Sequence, residues 1–227
     1  MRSPESPLVS RRGFLRRAAA LAVLPALDAC CELTDTCSAP VDPFTGGRTY
    51  QTVSVRMEQL AQAIQPQQCE LWCWAASISM IFAYHGYTVP QAQIVQQTYG
   101  AVVCLPSGNT FTIGSDLSRP WIDTRGRRFQ SRVTAAFDPY NGIASLSNAQ
   151  IIDELRGNRP LLYCNRTHAE VLYKATYSTD YADISDAWVV DPWPLNQRLH
   201  PLTFAERLPL PLGGDFTFLA AVSVTAL

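Results

Sequence analysis

Helix-like periods are confined to the first part of this 227-residue chain and strand-like runs to the last, without alternation. That segregation is the strongest constraint on the fold, because a parallel α/β sheet needs a crossover helix between successive strands. Trp74, Ile78, Ile81, Phe82 and His85 follow helical spacing, and Gly86 supplies a stop. A second helix is expected near Thr88, where Thr88-Val89-Pro90-Gln91 has the form of a capping box with proline in the first turn. Ile94, Val95 and Tyr99 would be its inner face and Gly100 its end. Ser147-Asn148-Ala149-Gln150 opens a third helix that carries Ile151, Ile152 and Leu155 and closes at Gly157. Residues 160–164, 170–177, 187–190 and 216–224 are rich in β-formers and read as strands. Segment 103–141 has no clear period and is expected as loops or strands around a cleft; its Arg125, Arg127 and Arg128 are read as a solvated cluster. The expected class is α+β.

Residues 1–30 stand apart from that domain. Ser10-Arg11-Arg12-Gly13-Phe14-Leu15-Arg16-Arg17 is a twin-arginine export signal, and the apolar run 18–27 that follows is half the length of a membrane-spanning helix, which needs about 20 residues. Export by that route implies a chain already folded. Leu27-Asp28-Ala29-Cys30 resembles a lipoprotein processing box, except that Asp28 replaces the small uncharged residue usual there; lipidation of Cys30 and simple cleavage of the signal nearby are both open, and membrane attachment is considered only through Cys30. The expected location is periplasmic, extracellular or lipid-anchored at the envelope. Residues 31–52, a mixture of Thr, Asp, Ser, Pro and Gly, read as a linker, and 53–227 as one domain expected to act as a monomer.

Five arginines and two acids lie in 1–30, so of 18 basic and 19 acidic residues 13 and 17 remain, a net charge of about −4. Such a surface offers no electrostatic footprint for nucleic acid. The seven cysteines (30, 31, 37, 69, 73, 104 and 164) contain no C-x-x-C pair, which argues against a zinc ribbon or a thioredoxin-like motif. Outside the cytoplasm some should pair. Cys69–Cys104 is the first expectation and Cys31–Cys37 the second, although spacing alone does not fix connectivity.

Cys73 sits where a loop becomes the first helix. The leading N–H groups of a helix have no internal partners and the helix dipole adds positive charge, so negative charge on sulfur is favoured there. The thiolate is the nucleophile in cysteine chemistry. It needs a base, and three histidines are available. His85 is twelve residues along the same helix, about 18 Å away, and reads as a polar residue at the helix C-terminus, where a cation is favoured. His200 lies in a proline-bounded stretch and reads as a surface loop residue. His168 begins a strand at a loop-to-sheet edge, where an imidazole can face a cleft. Asp191 ends the next strand; if the two strands are neighbours, it lies beside His168 and can orient the ring. The oxyanion formed during attack needs donors, for which the Cys73 N–H and the amide of Gln67 or Gln68 are placed just upstream.

Gln67, Cys73-Trp74-Ala75-Ala76, a later His168 opening a strand and Asp191 closing the next one resemble the papain-like cysteine peptidases. The order Gln, Cys, His, Asp is that family's, with Asp in place of the Asn of many members. The look is that of compact bacterial members, effector-type and bacteriocin-leader-processing-like peptidases, in which Asp followed by Pro is usual. The resemblance spans most of 60–195. It implies a papain-like fold, with a helical half carrying the Cys73 helix packed on a C-terminal antiparallel sheet, and a protein or peptide substrate. It also implies that Cys73 attacks, His168 moves the proton, Asp191 orients it and Gln67 stabilises the oxyanion, with no cofactor or metal. Three departures stand out: Glu70-Leu71-Trp72 before the nucleophile in place of the Cys-Gly-Ser/Ala of the plant and lysosomal enzymes, a Cys-to-His spacing of 95 residues, and Glu170 where compact members often carry an apolar residue. The same triad would serve acyl transfer or deamidation, and a binding protein could keep the fold without turnover.

Overall fold

A computed structural model describes residues 49–194 and 198–227. The export signal, the Cys30 box, the Cys31–Cys37 pair and most of the linker lie outside the described residues. In chain order the elements are β1 (Tyr50–Ser54), α1 (Met57–Ala63), α2 (Cys73–Tyr84), α3 (Gln91–Tyr99), α4 (Thr110–Asp116), β2 (Pro120–Ile122), β3 (Arg128–Asp138), β4 (Ile143–Ala144), α5 (Asn148–Arg156), β5 (Leu161–Asn165), β6 (Ala169–Ser178), β7 (Ile184–Val190), β8 (Leu199–Pro201), α6 (Phe204–Arg207) and β9 (Phe216–Ala226). The α+β class holds, and the paired strands run antiparallel.

Among the described residues the sheet order is β2-β3-β9-β5-β6-β7-β8. The strand β6 organises it. β5 covers one end of β6 (Cys164 opposite Ala169), β1 covers the other on the same edge (Ser54 opposite Lys174), and β7 pairs along the opposite edge. β1 lies across the expected linker–domain boundary, and with β3 it shows that the first half is not purely helical.

The helix α2 is the spine of the core. Trp74, Ala75, Ala76, Ile78, Met80, Ile81, Phe82 and Tyr84 are all buried, so the helix is enclosed on every side rather than amphipathic. Each large side chain there contributes on the order of 1.5–3 kcal/mol by leaving water. Its two serines are buried and satisfied: Ser77 Oγ donates to Ala169 O at 2.9 Å and Ser79 Oγ to Val89 O at 2.6 Å. The helix ends as expected, with Gly86 at φ +86°. On the other face of the sheet α5 packs through Ile151, Ile152 and Leu155, opened by the Ser147–Gln150 capping box. The pleat of β5 separates the two faces: Tyr163 lines a cavity with Ile151 of α5, and its neighbour Cys164 lines a cleft with Cys73 of α2.

Helix α3 starts two residues later than the Thr88 pattern implies. Pro90 takes the N-cap position, and Thr88 makes no cap. The first residue, Gln91, turns inward and bonds Pro66 O at 2.9 Å and the Gln68 N–H at 2.9 Å, while Tyr99 is exposed rather than on the inner face. No described helix is long and apolar enough to cross a membrane.

Candidate active site

Cys73 is the first residue of α2, with Trp72 at the N-cap. The loop before it is fastened at several points. Cys69 is joined to Cys104 by a disulfide, the first of the two expected pairings, with Cα atoms 6.0 Å apart. The indole N–H groups of Trp72 and Trp74 donate to Val103 O at 2.8 Å and Leu105 O at 3.2 Å, so segment 103–105 is strapped to the Cys73 end of the helix. The N–H of Gln67 donates to Pro192 O at 2.8 Å, which ties this loop to the turn after β7.

That turn carries Asp191. β6 and β7 are neighbours, with Val171 opposite Val190, so the start of one strand meets the end of the other. His168 lies just before β6, in a turn held by Asn165, whose Oδ1 accepts the N–H of His168 at 2.8 Å and that of Thr167 at 3.0 Å. His168 Nε2 and Asp191 Oδ1 are 2.6 Å apart, and the same carboxylate oxygen accepts the Trp193 N–H at 2.7 Å. Cys73 and His168 line the same cleft, and the thiol acts on the His168 ring electrostatically. Burial works against a charged ring, but the bond to Asp191 and the contact with Cys73 outweigh it and push the His168 pKa up to about 10. Cys73, His168 and Asp191 are therefore brought together.

Gln67 is near but differently employed. It is 6 % exposed, and its Nε2 donates to the carbonyls of Cys69 (3.1 Å) and Glu70 (2.8 Å), with Oε1 buried and unpaired. It braces the nucleophile loop and does not line the cleft. The Cys73 N–H, at the helix start, belongs to the set without an intrahelical acceptor.

A cleft of about 570 Å³ opens over Cys73 and His168. Its walls include Ser107, Phe111, Tyr140 and Arg166, with Phe111 and Tyr140 both well exposed. Asp138, buried beneath them, accepts from Thr110 Oγ1 at 2.6 Å and Asn141 Nδ2 at 2.7 Å and so ties one wall to the other. Arg125, Arg127 and Arg128 are not among its lining residues; Arg127 is held by Asp123 at 2.6 Å and lies over the Tyr87 ring.

Two histidines depart from expectation. His85 has its Nε2 buried without a partner, and burial, aided by nearby Arg159, lowers its pKa, so it is a neutral ring rather than a helix-end cation. His200 is not a loose loop residue. It lies on β8 opposite Val189, and its Nε2 is 2.9 Å from Oε1 of Glu170. The bond to Glu170, against some burial, raises the His200 pKa to about 9.

Ligating atoms of His168, Glu170 and Asp191 lie within 4.8 Å of one another, a spacing a metal ion could use. Both carboxylates already hold an imidazole, however, and the set is an ion-pair cluster in this arrangement. The residues that sequence reasoning missed surround Cys73, His168 and Asp191: Ser77, which pins the residue after His168 to the Cys73 helix; Asn165, which shapes the His168 turn; and the Glu170–His200 pair. An acid in the otherwise apolar start of β6 was the one visible signal.

No protein-family model matches this chain, and no curated protein matches it. Among solved structures it is similar to a double glycine motif protease from an AMS/PCAT transporter in complex with the leader peptide, at 15 % identity and a TM-score of 0.40, over 72 % of this chain and 91 % of that one. At those values the likeness assigns no activity.

Proposed function

We propose that the chain is an exported papain-like cysteine peptidase that hydrolyses peptide bonds through Cys73, His168 and Asp191. One observation carries this: the 2.6 Å contact of His168 Nε2 with Asp191, on a ring that shares the wall of an open cleft with the helix-start thiol of Cys73. The thiol proton resides on His168, whose charged form is favoured, as sulfur attacks the carbonyl carbon; the new C–S bond sends an electron pair to the carbonyl oxygen. The Cys73 N–H meets that charge. Gln67 supplies a second donor when its amide turns from the Cys69 and Glu70 carbonyls; such a donor contributes about 3 kcal/mol. The C–N bond then breaks and His168 returns its proton to the leaving amine. Water, deprotonated by the neutral ring, attacks the thioester, and release of the acid restores the thiol. Asp191 holds the Nε2–H throughout and stabilises the imidazolium.

The substrate is a protein or peptide, and nucleic acid is not a partner, in keeping with the acidic balance. The protein acts as a monomer outside the cytoplasm, with Cys30 as its one point of lipid attachment; the Cys69–Cys104 bridge suits an oxidising compartment. Labelling with iodoacetamide tests the nucleophile. Fast stoichiometric modification of Cys73, lost in His168→Ala, is expected. Labelling no faster than that of an ordinary exposed thiol would sink the assignment. A peptide library with Cys73→Ala as control then reads cleavage.

A further inference from the structure

Glu170 takes no part in the steps above, yet its position is costly. It is 1 % exposed among apolar neighbours Ala169, Val171 and Leu172. Oε1 meets His200 at 2.9 Å, while Oε2 is buried with no hydrogen-bond partner among the described residues. A buried ion pair is often no more stabilising than apolar side chains of equal volume, so stability does not account for an acid here. Its surroundings do. A carboxylate oxygen of Glu170, one of Asp191 and a ring nitrogen of His168 lie within 4.8 Å of one another. The ring that must carry a positive charge during attack is therefore flanked by two carboxylates, one in direct contact and one behind it. Charges this close interact strongly where water is excluded.

We propose that Glu170, held by His200, is a positioning residue for the cysteine chemistry: its buried carboxylate favours the protonated ring of His168 and keeps the proton there until the leaving group takes it. This rests on the peptidase assignment of the same site. The groups that face the pair are Cys73 from α2, Tyr163 and Cys164 from β5, His168 and Asp191 at the ends of β6 and β7, and His200 from β8. Of these, Asp191 and Glu170 are the carboxylates that favour charge on the ring. Burial above all, with the neighbouring Asp191, raises the Glu170 pKa, and the contacts with His200 and His168 oppose that rise and favour the carboxylate. His200 also fixes the geometry, because it lies on β8, at the far end of the connection that leaves Asp191. Asp191 N donates to Arg198 O at 2.7 Å, next to the start of β8, so the clamp from β6 to β8 closes over the Asp191 turn.

The test follows the His168 ring directly, by NMR of ¹³C-labelled histidine across pH 4–11, with assignment from His168→Gln. Glu170→Gln should lower the His168 midpoint by about one pH unit. Glu170→Asp, which keeps the charge, should restore most of it. The double variant Glu170→Leu with His200→Leu guards against misfolding: it should keep the unfolding midpoint yet still show the lowered His168 titration. A His168 midpoint the same as wild type in both Glu170→Gln and the Leu pair would overturn the proposal. Iodoacetamide labelling of wild type separates the two ideas. If Cys73 is unreactive while the midpoint still moves, the peptidase assignment fails and the electrostatic link stands.

Discussion

Two imidazole–carboxylate pairs lie side by side at the ends of β6, β7 and β8, and they differ in what else the ring meets. In His200, Nε2 faces Glu170 and Nδ1 faces the Pro201 carbonyl at 3.1 Å. Both neighbours favour donation from the ring, and the contact with Glu170 raises its pKa to about 9, so the charged form prevails at neutral pH. In His168, Nε2 faces Asp191 while the ring shares the cleft with the Cys73 thiol, a group that can give up its proton and take it back. The same pairing thus serves as a structural ion pair in one place and, on the proposed function, as a proton carrier a few ångströms away. A histidine–carboxylate contact is not by itself a sign of catalysis; what else the ring meets decides.

That contrast can be broken most forcefully at Asp191. Asp191→Asn should leave the fold intact and reduce kcat on the order of 10⁴-fold, because the amide no longer holds the ring in its working form; cleavage kinetics on a peptide found by library screening read it out. A loss under tenfold would mean that His168 does not depend on its partner. The second comparison is stability. His200→Ala strands the Glu170 carboxylate in the core and should cost about 3–5 kcal/mol in urea unfolding, whereas His168→Ala leaves Asp191 its bond from the Trp193 N–H and should cost less while abolishing turnover. Equal costs would erase the distinction between the pairs.

The smallest effect is on the pH dependence of stability. His168 and His200 are raised to about 10 and about 9 from an ordinary 6.5. Each therefore stabilises the fold fully below about 6.5 and loses that contribution as pH climbs through its folded value. The urea midpoint should decline between pH 7 and 10, and His200→Ala should flatten the part of the decline near 9. Glu170, raised by burial, acts at lower pH: its protonated form favours the fold, and that advantage fades as pH rises above the ordinary carboxylate range.

Local signals were the legible ones. Gly86 and the Ser147–Gln150 box mark helix ends through backbone geometry confined to a few residues, and the triad order emerged because β6 and β7 are consecutive neighbours. What stayed hidden depends on distant pairing. His200 looked like a loop residue because its partner Glu170 lies across an intervening strand, thirty positions back. The strand β3 was masked by its buried Ser131 and by a bulge between Val133 and Ala135 that breaks the alternation. The α4 sequence Thr110–Asp116 holds threonines and Gly114, poor helix formers, and owes its start to Asn109, whose side chain caps Thr112 N–H at 2.9 Å. Ser77 gave no signal, since a serine inside an apolar helix reads as noise until its acceptor is known.

The Gln67–Pro192 hydrogen bond closes a circuit. From Cys73 the path runs along α2 to Ser77, across to Ala169 and His168, over to Asp191, through Pro192 to Gln67, and back to Cys73. Links in series with free ends loosen one at a time; links in a closed loop share every strain. Opening any part of this one requires stretching the rest or melting α2, which is the most enclosed element of the molecule. The hydrogen-bonded amides of Gln67 and His168 should then exchange with solvent as slowly as the core itself, while the Cys73 N–H, which has no intrahelical acceptor, should exchange faster, as should the exposed outer cleft wall around Phe111 and Tyr140.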